Sequence, residues 1–234
     1  MITDAHCHLA GFGAEEIAGF EGLLIAAVSE DAEDSARTLE LARSRRGTLG
    51  FVGIHPWSAA SAREEDFAAV ESLAPEADGL GEIGMDGRRG DLPVQLEAFT
   101  RQLRLAREYD KPVNLHCLDA WDRCLDLVLR HDVRSAVFHW YNGPQELAER
   151  ISGYGFYVSI NVAAKVQRRH AALAASVPLR SLLVESDGPY EYRGMRLSPS
   201  MIPGLLESIA ELRGMSRESL ESVIAGNFHD AFLG

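Results

Sequence analysis

Cysteine is scarce in this chain, with three thiols in 234 residues, which excludes a disulfide framework. Cys7, Cys117 and Cys124 therefore read as reduced and buried. Positive charge is also scarce. The net charge of −12 excludes a broad nucleic-acid-binding surface, which would be basic, although an enzyme gripping a few phosphates through metals and local arginines remains compatible with it. No apolar run reaches membrane-spanning length, and no basic segment followed by an apolar stretch opens the chain, so a cytoplasmic protein is expected. Linkers, internal repeats and low-complexity tracts are absent, so residues 1–234 read as a single domain.

What is present is an alternation. Apolar runs of strand length occur at Met1–His6, Leu23–Ser29, Gly50–His55, Gly79–Met85, Pro112–Cys117, Ser135–Trp140, Phe156–Asn161 and Leu182–Ser186. Most are continuous rather than alternating, as in strands buried on both faces. Helical patterns lie between them, at Ala32–Arg46, Pro93–Tyr109, Ala120–Arg130, Pro144–Ser152, Lys165–Ala175 and Met201–Arg213, with a further C-terminal helix ending at Asn227–Leu233. In Pro93–Tyr109, Leu96, Phe99, Leu103 and Ala106 share one face. About eight strand–helix units in a chain near 250 residues predict a (β/α)₈ TIM barrel. A doubly wound open sheet is the alternative, but it would open on a Gly-rich turn, and this chain opens on Asp4-Ala5-His6-Cys7-His8.

In that opening stretch side chains alternate faces, so Asp4, His6 and His8 point one way and Cys7 the other. Two imidazoles on one face form half of a divalent-metal site. Alone, His-x-His is a weak signal, and a single histidine at a strand end is more often structural. Here the pattern recurs: His55 closes the third strand, Glu82 lies in the fourth, and His116, His139 and Asp187 close the fifth, sixth and eighth. In a barrel those strand ends meet on one rim, where active sites lie. No cation runs beside Glu82, and a buried unpaired carboxylate is costly, so a metal accounts for the set together. Four histidines and two carboxylates suit two divalent ions of the Zn²⁺, Mn²⁺ or Fe²⁺ type, while Mg²⁺ prefers more oxygen. His131, His170 and His229 read as structural, on helix ends or faces.

Taken in order, the motifs Asp4–His8, Gly53-Ile54-His55-Pro56, Gly81-Glu82-Ile83-Gly84-Met85-Asp86, His116, His139, Glu185-Ser186-Asp187-Gly188-Pro189-Tyr190 and Asn227-Phe228 run nearly the whole chain. The sequence resembles the TatD family of metal-dependent hydrolases and DNases, among the amidohydrolase-like barrels. The resemblance implies two-metal phosphodiester hydrolysis, with 3′–5′ trimming of single-stranded or frayed DNA ends. It implies one ion among His6, His8, Glu82 and Asp187 and a second among Glu82, His116 and His139. Glu82 would bridge the two, and Asp187 would also act on the attacking water. It further implies that His55 and Lys165 face the substrate phosphate, and that Asp4 and Glu185 orient ligands from behind.

The chain departs from the family pattern after His116, where Leu118 replaces a phosphate-binding arginine, and after His139, where Trp140-Tyr141 stands for Cys-Phe. Arg88, Arg89, Arg168, Arg169, Arg193 and Arg196 fall in or near rim loops and are candidate replacements for the lost cation. Two alternatives remain at this level. The same metals act equally on an amide, lactone or ester, including an aminoacyl ester. A non-catalytic, metal-stabilised binding subunit would be marked by loss of Glu82 or Asp187, and both are present.

Overall fold

The computed structural model describes residues 1–234. Eight parallel strands follow one another in sequence and in space: β1 (Thr3–Cys7), β2 (Leu24–Ala27), β3 (Thr48–Val52), β4 (Gly79–Gly84), β5 (Val113–His116), β6 (Ala136–Phe138), β7 (Tyr157–Asn161) and β8 (Leu182–Glu185). The helices are α1 (Ala14–Ala18), α2 (Ala32–Ser44), α3 (Glu64–Leu73), α4 (Leu92–Glu108), α5 (Trp121–Arg130), α6 (Gln145–Gly153), α7 (Arg168–Ser176), α8 (Ile202–Arg213) and α9 (Arg217–Phe232). This is the (β/α)₈ barrel that the alternation implies, and not the open sheet.

Between β1 and β8 closure rests on a few specific bonds. The Asp187 N–H donates to the His6 carbonyl and the His8 N–H to the Gly188 carbonyl, each at 2.9 Å. The Asp4 carboxylate accepts from the Ser186 N–H at 2.9 Å and from the Ser186 hydroxyl at 2.5 Å. β4 and β5 approach so closely at Gly84 that a β-carbon there would lie 2.0 Å from the His116 carbonyl oxygen. With φ at +140°, the position needs glycine on conformational grounds as well.

The helices start where short polar side chains cap them. Asp31 accepts from the Asp34 N–H at the start of α2, Asp91 from the Val94 N–H at α4 and Ser216 from the Ser219 N–H at α9. α9 is tied to the barrel by Asn227, which donates to the Leu179 and Leu182 carbonyls, and by Phe228 and Phe232. These rings join Phe51, Val137 and Leu183 in one buried cluster.

Three features lie outside the sequence pattern. α3 shows no apolar stripe because Val70 is its only fully buried residue. The segment 188–199, without strand or helix periodicity, contains a small hairpin of β9 (Glu191–Tyr192) and β10 (Met195–Arg196). Its two turn residues, Arg193 and Gly194, have φ of 50° and 79°, the backbone signs of a type I′ turn. Lys165 does not open α7; it lies on a 3₁₀ turn, Val162–Val166, ahead of that helix.

Candidate metal centre

Along each strand, residues two apart share a face, so parity that buries apolar side chains lower in the barrel delivers polar ones at its C-terminal end. Val137 and His139 are related this way, as are Leu183, Glu185 and Asp187. The interior of this end is polar and nearly solvent-free: His6, Glu82, Asn114, Glu185 and Asp187 are all buried.

Glu82 occupies the middle. Its Oε2 lies 3.4 Å from His6 Nε2 and 3.3 Å from His8 Nε2. Its Oε1 lies 2.8 Å from His116 Nδ1, 2.9 Å from His139 Nε2 and 3.2 Å from His55 Nε2. One carboxylate thus faces two separate groups of imidazoles. In the first group, His6 Nε2 and His8 Nε2 are 3.4 Å apart, and Asp187 Oδ1 lies 3.5 and 3.4 Å from them. A point at the centre of that triangle is about 2.0 Å from each atom, the length of a Zn–N or Zn–O bond. His55, Glu82 and His116 form a second group with metal-compatible spacing, and His6, His139 and Glu185 a third.

The hydrogen bonds behind the imidazoles set their tautomers. Asn114 donates its amide to the Ala5 carbonyl at 2.7 Å, which turns its Oδ1 toward His6 Nδ1 at 2.8 Å. His6 therefore carries its proton on Nδ1 and aims the Nε2 lone pair at the centre. Glu185, fixed by Ser159 and Asn161, lies 3.4 Å from His139 Nδ1, but that nitrogen makes no hydrogen bond. His55 Nδ1 accepts from the Trp57 N–H at 3.1 Å, which leaves the His55 proton on Nε2. His8 Nδ1 is buried without a hydrogen-bond partner.

Electrostatics follow from the same packing. Burial disfavours every imidazolium here, but the neighbouring carboxylates outweigh it at His6, His8, His116 and His139. Their pKa values rise, to about 10 at His8 and about 9 at His116. At His55 burial wins, and the value falls to about 4. Burial opposes ionisation of Asp187 too, yet His6 and His8 hold its carboxyl well below the usual range. Imidazoles that attract protons this strongly, around a carboxylate that stays ionised, are a donor set to which divalent cations fit.

Of the residues singled out in the sequence, His6, His8, His55, Glu82, His116, His139 and Asp187 are brought together. Asp4 is not behind an imidazole; it staples the β1–β8 seam, and the group orienting His6 is Asn114. Lys165 is outside the cavity wall, with its ammonium against Gly204, where a β-carbon would sit 2.5 Å from Nζ. Among the six rim arginines only Arg88 and Arg89 line the cavity. Arg88 is ion-paired to Asp119 at 2.5 Å, whereas the Arg89 guanidinium lies 4.1 Å over the Trp57 ring. Asp86, overlooked as a functional group although it lies in a quoted motif, accepts from Trp57 Nε1 at 2.6 Å and sits 3.3 Å from His116 Nε2.

The cavity above these groups measures about 820 Å³, room for a nucleotide-sized ligand. Leu118 is part of its wall, as are Glu30, Asp31, Glu33 and Asp34 on the β2–α2 side.

Barrel and donor set together fit a metal-dependent hydrolase. Residues 3–233 match the model of the family described as TatD related DNase, and the chain belongs to that family. It is 33% identical to the 3′-5′ ssDNA/RNA exonuclease TatD of Cronobacter sakazakii, over 92% of this chain and 88% of that protein. It is 27% identical to an uncharacterized metal-dependent hydrolase, YabD, of Bacillus subtilis, over 97% of each. Among solved structures, the TatD homologue YjjV of Escherichia coli superposes with a TM-score of 0.89 at 25% identity, covering 99% of this chain and 97% of that one.

Proposed function

We propose that this protein is a single-domain, divalent-metal-dependent phosphodiesterase that removes nucleotides in the 3′–5′ direction from single-stranded or frayed DNA ends. The observation that carries the reading is Glu82, whose two oxygens face two groups of nitrogen donors. His6, His8, Asp187 and Glu82 would hold one ion of the Zn²⁺, Mn²⁺, Fe²⁺ or Mg²⁺ class, and His116, His139 and Glu82 would hold the second. Bound divalent ions supply Lewis-acid polarisation of the phosphoryl group and acidify water.

The chain's own groups do the rest. Asp187, beside His6 and His8 at 3.5 and 3.4 Å, would accept the proton of the attacking water. His55, whose Nε2–H faces Glu82 Oε1 at 3.2 Å, would turn that donor to a phosphate oxygen, and Arg89, held on Trp57, would supply the cation that Leu118 does not. His6 is held by Asn114 with its Nε2 lone pair toward the centre. The Cronobacter relative, a 3′-5′ ssDNA/RNA exonuclease by name, agrees with this substrate class. Three unpaired, buried thiols suit the reducing cytoplasm as its place of work.

The test is chelation followed by separate addition of Mn²⁺, Zn²⁺ and Mg²⁺, assayed on labelled single-stranded DNA, RNA and an aminoacyl ester. Metal-restored, 3′-directed release of nucleotides is expected. Full activity without metal, or turnover of the ester alone, overturns the reading.

A further inference from the structure

The cavity carries a feature that metal chemistry does not use. Trp140 follows His139 directly and lines the cavity with Tyr190 and Tyr192. The Trp140 ring is 6.1 Å from Tyr190 and 5.4 Å from Tyr192, both edge-on. Trp140 and Tyr192 are half-buried against the core, whereas Tyr190 is 47% exposed, so part of this aromatic surface stays open to the cavity. Three devices hold the rings there. Trp140 sits at φ +39°, a left-handed conformation that a bulky residue adopts only under constraint from its surroundings. The tight β9–β10 turn presents Tyr192, and the Arg193 guanidinium lies 5.4 Å over the Tyr192 ring. The Tyr190 N–H donates to the Asp187 carbonyl at 3.1 Å, tying this wall to a metal-centre residue.

Across the barrel the lining changes character. Trp140 follows β6, opposite β2 in an eight-membered ring, while Tyr190 and Tyr192 follow β8; the β2–α2 side contributes Glu30, Asp31, Glu33 and Asp34 together with Arg37. A polyanion is repelled by that side, and Leu118 offers no cation at the centre. With few cations facing the cavity, Arg89 chief among them, affinity for a nucleic-acid end needs a source besides charge. Stacking on aromatic faces is the sequence-tolerant alternative, because every base has a π-face.

We infer that Trp140, Tyr190 and Tyr192 form a stacking platform for the terminal nucleobase, which places the last phosphodiester over the metal centre. The inference rests on the phosphodiesterase reading above. It makes this enzyme one that recognises the base of the end it trims, with no base-edge readout, and uses few phosphate contacts.

The experiment compares single-stranded oligonucleotides ending in a normal 3′ nucleotide with the same oligonucleotides ending in an abasic tetrahydrofuran residue. Each is assayed with the metal-loaded wild type and with Trp140→Ala, Trp140→Phe and Tyr192→Ala. Wild type is expected to prefer the base-bearing end by about tenfold or more in kcat/KM, mainly through KM. Trp140→Ala and Tyr192→Ala should erase most of that preference, and Trp140→Phe should keep it. A preference that survives in both alanine variants, or a wild type indifferent to the base, overturns the platform while leaving the phosphodiesterase intact. A wild type that cleaves neither end, yet hydrolyses an aminoacyl ester, overturns the phosphodiesterase reading and the platform with it. Equal losses on both ends in the variants would mean that the rings only support the metal centre, which also overturns the platform.

Discussion

His6 and Asn114 are joined across the barrel interior, from β1 to β5, by a 2.8 Å contact between His6 Nδ1 and Asn114 Oδ1. The asparagine amide is in turn spent on the Ala5 carbonyl, so the pair has one possible orientation. Replacing Asn114 by Leu leaves an imidazole N–H and a backbone carbonyl without partners. The expected cost is about 1–3 kcal/mol of stability. A fall of about 10–100-fold in affinity for the ion at His6 should accompany it. Denaturant melts and metal titration of the variant measure both; undiminished metal affinity would contradict the assigned role of Asn114.

Glu82→Ala should weaken both ions together, because both of its oxygens are engaged. His139→Ala should weaken one, since its Nε2 approaches only Oε1. Elemental analysis after dialysis distinguishes the two variants. Two tightly held ions in Glu82→Ala would place the bridge elsewhere.

Asp187→Asn removes the charge beside His6 and His8 and the acceptor for the water's proton. Turnover at saturating metal should fall by about 10²–10⁴-fold with the fold retained. Near-normal turnover would show that another group takes the proton.

Few cations face the cavity, so binding of single-stranded oligonucleotides should depend only weakly on salt. About two to four phosphates are expected, each contributing roughly −0.7 to the slope of log affinity against log salt. Leu118→Arg, in an Asp187→Asn background, should tighten binding and steepen the slope by about 0.7. A steep slope growing with oligonucleotide length in the parent would reveal an extended basic track.

His170 supplies a pH-dependent term outside the metal centre. It is buried on α7, its Nε2 accepts from the Asn161 N–H at 2.8 Å, and burial pushes its pKa down from 6.5 to about 4. The folded state keeps the neutral ring while the unfolded chain takes up a proton. Its contribution is therefore complete above pH 6.5 and is lost as pH falls toward 4. Between pH 7.5 and 4.5 that loss is about 2–3 kcal/mol. His170→Gln keeps an acceptor for Asn161 without titrating, so the metal-free variant should lose less stability over this range than the wild type. Parallel stability–pH curves would refute the assignment.

The barrel was legible because eight apolar runs alternate with helical patterns, and that periodicity reports burial directly. α3 was invisible because one buried valine leaves no period to detect. The β9–β10 hairpin was hidden because two-residue strands carry no alternation; only Arg193-Gly194 hinted at a turn. Lys165 illustrates a different limit. A matching position after β7 says where the backbone runs, but the 3₁₀ turn there sends the ammonium to Gly204.

Residue chemistry along the chain by itself determined the candidate donors, because imidazole and carboxylate groups at strand ends converge in any parallel barrel. Only the tertiary structure decided how they are used. Which oxygen of Glu82 faces which histidines, that Asn114 and not Asp4 stands behind His6, and that Trp140 meets Tyr192 are relations between residues far apart in sequence. Strand register, the β1–β8 seam and side-chain packing set such distances, and none of these leaves a local pattern to read.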